Sequence, residues 1–80
     1  VTGFGRIGHA FGSDRYGIRP DLMTCAKGLT SAYVPMSAVF IGEKVWNVIR
    51  ESAAKTGPFS HGYTYSGHPL AAAAALACLD

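Results

Sequence analysis

The sequence predicts an α/β fold from two short apolar runs and two helical segments. "DLMTCA" at 21–26 and "SAVFIG" at 37–42 have the length of strands, and the second is rich in β-favouring residues. "EKVWNVIRESAAK" at 43–55 places its apolar side chains at helical spacings. An alanine-rich run predicts a helix from Pro69, well suited to a first helical position, to about Leu79. Two buried strands, one amphipathic helix and one buried helix indicate an α/β architecture.

The remaining segments are predicted to be loops. Glycines and Pro20 punctuate residues 1–20, which argues against regular structure there. Gly57 and Pro58 end the first long helix, and "FSHGYTYSGH" at 59–68 connects it to the second.

Composition excludes several functional classes. With 49% hydrophobic and 15% charged residues, the chain is too apolar for a disordered linker. The net charge of +2 comes from scattered residues that form no basic face, so we expect no nucleic-acid binding. No apolar run approaches the ~18 residues of a membrane span. The cysteines and histidines lack zinc-finger or HExxH spacing, so no metal site is expected. Free thiols favour a reducing compartment, and we expect a cytoplasmic protein.

The two ends indicate an internal piece of a longer protein. The chain begins at Val1 within a glycine-rich turn and stops at Asp80, directly after an apolar helix. A complete domain of this size buries only ~60% of its unfolded surface. We therefore expect residues 1–80 to be part of a larger domain, incomplete at both ends.

"GFGRIG" at 3–8 matches the GxGxxG pattern, which binds dinucleotides where it follows a strand and opens a helix. Only two residues precede it here, and Gly12, Gly17 and Pro20 interrupt the segment where a helix should run. The acidic residue expected ~20 residues later is also missing. We interpret the segment as a glycine-rich loop packed near a site. A nicotinamide-dependent oxidoreductase remains the alternative from another class.

Lys27 follows the first predicted strand among small apolar residues, which is an unusual place for an ammonium group. Such a lysine can extend to solvent, pair with an acid or act as a nucleophile. Gly28 leaves room for a flat ligand to approach the backbone, and Thr30 and Ser31 add hydroxyls. These neighbours favour the nucleophile.

A second segment, "HGYTYSGHP" at 61–69, contributes the Thr64 and Ser66 hydroxyls shortly before a predicted helix start. Hydroxyls and free amides in that position favour an anion, especially a phosphate. An amine nucleophile together with a phosphate-binding loop points to pyridoxal 5′-phosphate, whose aldehyde condenses with lysine.

The segments "TGFGRIGHAFGSDRYGIRPDLMTCAKGLTSAYVPMSAV" and "HGYTYSGHP" resemble the class III aminotransferases. The resemblance covers nearly the whole chain and implies a fold type I, pyridoxal-phosphate-dependent transferase that acts as a homodimer. It implies transfer of an amino group from an amine or ω-amino acid to a keto-acid acceptor such as pyruvate. It also places residues 1–80 within the large cofactor-binding domain.

By this resemblance, Lys27 is the catalytic lysine that forms a Schiff base with the cofactor. Thr64 is the residue that reaches the cofactor phosphate in the neighbouring subunit, with the backbone of Tyr63 or Tyr65 beside it. The aspartate that pairs with the pyridinium nitrogen and a glycine-rich phosphate loop are expected before this chain. The arginine that binds a substrate carboxylate is expected after it.

Within the family, "YSGHP" at 65–69 resembles the ω-amine or ω-amino-acid:pyruvate branch, because γ-aminobutyrate and ornithine enzymes tend to carry a Gly-Gly-Asn-Pro turn there. Another class III enzyme, such as an aminomutase or decarboxylating transaminase, and a catalytically inactive relative remain alternatives. Tyr33 either lines the site or serves packing.

Overall fold

The computed structural model describes residues 1–80 and contains three α-helices, a two-stranded sheet and one 3₁₀ turn. In chain order these are α1 (Gly12–Tyr16), β1 (Leu22–Ala26), the 3₁₀ turn (Lys27–Thr30), β2 (Ser37–Ile41), α2 (Glu43–Thr56) and α3 (Pro69–Leu79). Both predicted strands and both predicted long helices are present, with bounds within about one residue of the expectation.

Helix α1 was not predicted, because its segment contains glycines at both ends. The Asp14 carboxylate accepts a hydrogen bond of 3.1 Å from the Phe11 N–H, which satisfies one of the free amides at the helix start. Gly17 ends the helix with a left-handed φ of 64°. A single helical turn of this kind depends on such local bonds rather than on a long apolar pattern.

The strands β1 and β2 pair antiparallel, with Leu22 opposite Ile41 and Ala26 opposite Ser37. Gly42 closes the far end of the ladder by donating its N–H to the Asp21 carbonyl at 2.9 Å. A Cβ at position 42 would lie 3.0 Å from that same oxygen, so the close approach requires glycine. Helix α2 begins directly afterwards.

The N-terminal segment packs against this sheet through aromatic and thioether contacts. Phe11 meets Phe40 edge to face at a centroid distance of 5.8 Å, and Phe4 meets Phe11 in the same way at 5.4 Å. The Ser13 hydroxyl lies 3.7 Å from the Met23 sulfur. These contacts hold the N-terminal segment beside the start of β1, where Met23 pairs with Phe40.

The buried core lies between the 3₁₀ turn and α3. Its members are Leu29, Thr30, Ala71 and Ala75, the four residues of the chain that are buried. Ala71 and Ala75 are one helical turn apart, so α3 presents a narrow face of small side chains to the turn that follows Lys27.

Within these 80 residues, the strands and α3 are covered on one side only. The exposed fractions of Leu70 and Leu76 on α3 are 63% and 66%, and that of Phe40 on β2 is 47%. A two-stranded sheet and one neighbouring turn cover only one side of each element.

No helix has the length and apolar character needed to cross a membrane.

Candidate functional site

Lys27 is the first residue of the 3₁₀ turn and has a left-handed backbone, with φ at 60°. Ser31 and Ala32, at the end of the same turn, also have positive φ, 50° and 61°. Non-glycine residues in this region cost on the order of 1–3 kcal/mol each and cluster at functional sites. Three of the four non-glycine residues with positive φ in the chain therefore lie within this one segment of six residues.

Hydrogen bonds within residues 27–34 stabilise the turn that contains these strained residues. Ala32 donates its N–H to the Lys27 carbonyl at 3.0 Å, and Ser31 donates its N–H to the Gly28 carbonyl at 3.1 Å. The buried Thr30 hydroxyl donates to the Val34 carbonyl at 2.5 Å. These bonds offset the cost of the left-handed residues and fix the path of the chain after Lys27.

A further contact joins the turn to α3. The Ser31 hydroxyl and the Cys78 thiol lie 3.2 Å apart, near the C-terminal end of the helix. The 3₁₀ turn packs on α3, and the four buried residues of the chain lie in these two elements.

The Lys27 side chain is exposed in this chain. No carboxylate pairs with it, since the single ion pair joins Lys44 to Asp21 at 3.6 Å. Pairing with an acid of this chain is therefore excluded as its role. The amine is free to react or to bind a ligand.

The interpretation of Gly28 was wrong in one respect. A Cβ at position 28 would lie 3.1 Å from a ring carbon of Phe4, so the space beside this glycine is filled by an aromatic side chain of the chain itself. Gly28 is needed for close packing of the glycine-rich loop on the 3₁₀ turn, and not for the approach of a flat ligand.

The glycine-rich loop does not have the geometry of a dinucleotide-binding site. Its residues 3–8 form turns and a bend, and no helix begins before Gly12. The Phe4 N–H donates to the Ala10 carbonyl at 2.7 Å, so the loop folds back on itself. The structure therefore contradicts the nicotinamide alternative and agrees with a loop packed beside Lys27.

Lys27 lines a groove together with the loop that precedes α3. The far wall consists of Tyr63, Tyr65, Ser66 and His68, and the concave space measures about 780 Å³. Met36, after the 3₁₀ turn, also lines it. The structure thus brings Lys27, Tyr63 and Tyr65 to one site, whereas Thr64 lies between the two tyrosines but does not line this groove.

The loop contains a tight turn from Tyr63 to Ser66 held by two reciprocal hydrogen bonds. The Tyr63 N–H donates to the Ser66 hydroxyl at 2.9 Å, and the Ser66 N–H donates to the Tyr63 carbonyl at 3.0 Å. Thr64 and Tyr65 occupy the two central positions, and their N–H groups have no partner within the chain. The turn therefore offers one hydroxyl and two amides to a ligand.

The start of α3 continues this set of donors. Its N-cap residue His68 makes no side-chain capping bond, and Pro69 at the first position has no N–H. The following amides of the first turn therefore lack intrahelical partners, and the helix dipole favours an anion there.

The donor set fits a group that combines an aldehyde and a phosphate. A free primary amine at Lys27 suits the aldehyde, and the hydroxyl and amides around Thr64 suit a phosphate. Tyr33, in contrast, lines neither this groove nor the space beside the glycine-rich loop, and its exposed fraction is 87%.

Sequence reasoning missed two features of the site. The turn-closing role of Thr30 and the turn-holding role of Ser66 both depend on side-chain hydrogen bonds to nearby backbone groups. Serine and threonine often make such local bonds, so their positions next to Lys27 and Thr64 were the available signal.

Comparison with known proteins gives the family. The sequence model for class III aminotransferases matches residues 1–80. This chain belongs to the class III aminotransferases. Members of that family depend on pyridoxal 5′-phosphate, so the resemblance and the cofactor predicted from the sequence are confirmed.

Individual relatives and solved structures support the assignment to the class III aminotransferases. It is 58% identical over 79 residues to the diaminobutyrate–2-oxoglutarate transaminase of Halomonas elongata, covering 99% of this chain and 17% of that protein. A solved structure from the directed evolution of transaminases by ancestral reconstruction is 62% identical, with a TM-score of 0.95 over 100% of this chain and 18% of the other.

A thermostable (S)-enantioselective omega-transaminase from Thermomicrobium roseum is 48% identical, with a TM-score of 0.86 over 99% of this chain and 17% of the other. The chain thus spans about one sixth of the length of the relatives it matches. The fold type I assignment is confirmed by these structures.

Proposed function

We propose that this chain is part of the large cofactor-binding domain of a pyridoxal-phosphate-dependent transaminase and carries its catalytic lysine, Lys27. The observation behind this proposal is the exposed Lys27 amine, which has no ion-pair partner and stands at the first residue of a strained turn. In a catalytically inactive relative retained for binding, no catalytic role of Lys27 would explain why a turn with this free-energy cost is kept.

The residues of this chain would hold the cofactor, bind its phosphate and transfer a proton. Lys27 would hold the cofactor through Nζ, and the Thr64 hydroxyl and neighbouring amides would bind a phosphate. When bound, the cofactor supplies an electron-accepting ring beside the reacting substrate carbon. The Lys27 amine then removes a proton from that carbon as a general base and returns one as a general acid.

Attachment through Lys27 has a direct chemical test. Borohydride reduction of the full-length holoenzyme, followed by proteolysis and mass spectrometry, should place a pyridoxyl group on the peptide containing Lys27. The other lysines, Lys44 and Lys55, serve as internal controls in the same digest. A label on either of them, or no label at all, would contradict the proposal.

The proposed assembly is a homodimer in which Thr64 serves the neighbouring subunit. Thr64 lies outside the groove that contains Lys27 of its own chain, although both adjacent tyrosines line that groove. The reciprocal Tyr63–Ser66 bonds fix the turn, so its exposed hydroxyl is presented in a set position. This arrangement supports contact with a phosphate held by another subunit.

We expect Thr64→Ala to weaken the affinity for pyridoxal 5′-phosphate by about 1–2 kcal/mol, the scale of a hydrogen bond to a charged group. Binding of pyridoxal, which has no phosphate, should be unchanged. Equilibrium dialysis of the apoenzyme with each compound measures both affinities. Ser60→Ala is the matched control, because Ser60 lies in the same loop and its hydroxyl contacts only the Pro58 carbonyl.

Mixed dimers test the role of Thr64 across the interface. Dimers of one Lys27→Ala and one Thr64→Ala subunit should have one site with both lesions and one intact site, and should recover part of the activity. If Thr64 acts within its own subunit, the lesions fall in different sites, and the mixed dimers show only the weakened cofactor affinity of Thr64→Ala and no site of wild-type affinity.

The proposed reaction moves an amino group from an amine or ω-amino acid to a keto acid such as pyruvate. The "YSGHP" segment and the likeness to an omega-transaminase support this donor class. The apolar and aromatic lining by Met36, Tyr63 and Tyr65 is compatible with an uncharged donor side chain. The free thiols of Cys25 and Cys78 support a cytoplasmic location.

A further inference from the structure

We propose that Thr30 is the residue that positions the Lys27 amine, by locking the left-handed turn that begins at the lysine. The proposal rests on the proposed function of Lys27 and assigns to Thr30 no contact with substrate or cofactor. Thr30 acts through the backbone, three residues after the lysine.

The burial of Thr30 sets it apart from the rest of the chain. Its exposed fraction is 1%, and it is the single polar residue among the four buried ones. A buried hydroxyl is costly unless it has a partner, and here the partner is the Val34 carbonyl. The bond spans Ser31 and Ala32, the two residues that are strained at the end of the turn.

The strain requires such a constraint. Lys27, Ser31 and Ala32 all have positive φ, and each would relax toward ordinary backbone conformations if the turn were free. Relaxation at either end rotates the backbone from which the Lys27 side chain projects. Because Thr30 is buried and its turn packs on α3, the hydroxyl bond acts on a turn that is already held against the helix following the Tyr63–Ser66 loop.

Loss of the Thr30 hydroxyl bond should slow the formation of a bond at the Lys27 Nζ and should not weaken binding through the cofactor phosphate. Attachment of the cofactor forms a bond between Nζ and the aldehyde carbon and releases one water, so its rate depends on where the amine stands. Misplacement of a reacting group by about 1 Å can lower a rate about a hundredfold. Binding through the phosphate, by contrast, uses other groups and does not require a placed amine.

The test compares Thr30→Val, which keeps the shape and removes the hydroxyl, with Thr30→Ser, which keeps the hydroxyl. In the full-length apoenzyme, we expect Thr30→Val to slow the attachment of pyridoxal 5′-phosphate by about ten- to a hundredfold. The affinity for pyridoxamine phosphate, which has no aldehyde, should stay within about twofold of wild type. Stopped-flow absorbance and isothermal titration calorimetry measure the two quantities.

Turnover should follow the same pattern. Thr30→Val should lower kcat with little change in KM, and Thr30→Ser should restore attachment rate and kcat to within a few-fold of wild type. Thr56→Val is the matched control, because the Thr56 hydroxyl also donates to a backbone carbonyl, that of Ser52, at 3.0 Å on an exposed helix end. Thr56→Val should leave the attachment rate and kcat unchanged.

Several outcomes would overturn the proposal. If Thr30→Val lowers the melting temperature but attaches the cofactor at the wild-type rate, or weakens pyridoxamine phosphate equally, Thr30 only stabilises the fold. If Thr30→Val yields no folded enzyme, Thr30→Ala also removes the hydroxyl without adding bulk, and an attachment rate equal to that of Thr30→Ser would contradict the proposal. Borohydride labelling of Lys27 in each variant tests the proposed function of the lysine separately.

Discussion

Replacing Lys27 with alanine in the full-length enzyme is expected to abolish turnover while leaving part of the cofactor affinity. The lysine is the only group of this chain proposed both to hold the cofactor and to transfer a proton. Loss of a positioned acid–base group alone lowers a rate by about 10²–10⁴-fold. The proposed phosphate contacts lie on a different segment, at 63–69, so they remain available in the variant.

The measurements separate these two effects. Steady-state kinetics should show kcat lowered by at least about a hundredfold, whereas calorimetry should show that pyridoxamine phosphate still binds with near wild-type affinity. Lys27→Arg keeps the positive charge but lacks a nucleophilic amine, so it should be as inactive as Lys27→Ala.

Lys55→Ala is the control, since Lys55 lies at the exposed end of α2 and should not affect either quantity. A small primary amine added to Lys27→Ala should restore some activity, because it supplies the missing base. Activity of Lys27→Ala within tenfold of wild type would show that another group performs the proton transfer.

The elements of the fold were predictable because each has a strong local signal. The apolar runs at 21–26 and 37–42 and the proline at the start of α3 gave both strands and the helix within about one residue. Their pairing was not predicted, because antiparallel register depends on contacts such as Gly42 with Asp21 that no local pattern contains.

The candidate site was predictable in its residue types and not in its geometry. A lysine near hydroxyls and a Gly- and Tyr-rich loop before a helix indicated an amine nucleophile and a phosphate site. The left-handed turn at Lys27 could not be foreseen, since a lysine seldom adopts positive φ. The filling of the space beside Gly28 by Phe4 also depends on tertiary packing.

The 80 residues expressed as an isolated peptide are expected neither to unfold cooperatively nor to transaminate. Only four residues are buried, and three of them are a leucine and two alanines. Whole domains are stable by only about 5–15 kcal/mol, after conformational entropy of order 1–2 kcal/mol per residue has been offset. A core of this size cannot offset that entropy for the whole chain.

The exposed apolar side chains lead to the same expectation. Sixteen large apolar residues are exposed, including Trp46 on α2 and Leu76 on α3. In water these side chains favour association or a collapsed ensemble over one fixed arrangement. The strained turn at Lys27 adds a further cost, which the hydrogen bonds of the turn and its packing on α3 must offset.

Circular dichroism and amide proton dispersion in solution measure the expected result. The peptide should show a gradual, non-cooperative loss of helical signal on heating and narrow amide dispersion. The full-length enzyme, measured in parallel, should show a cooperative transition that pyridoxal 5′-phosphate shifts upward, because a ligand that binds only the native state stabilises it. A cooperative transition in the peptide, or an absorbance band of lysine-bound cofactor on adding pyridoxal 5′-phosphate to it, would show that the contacts between the 3₁₀ turn and α3 suffice to fold the site.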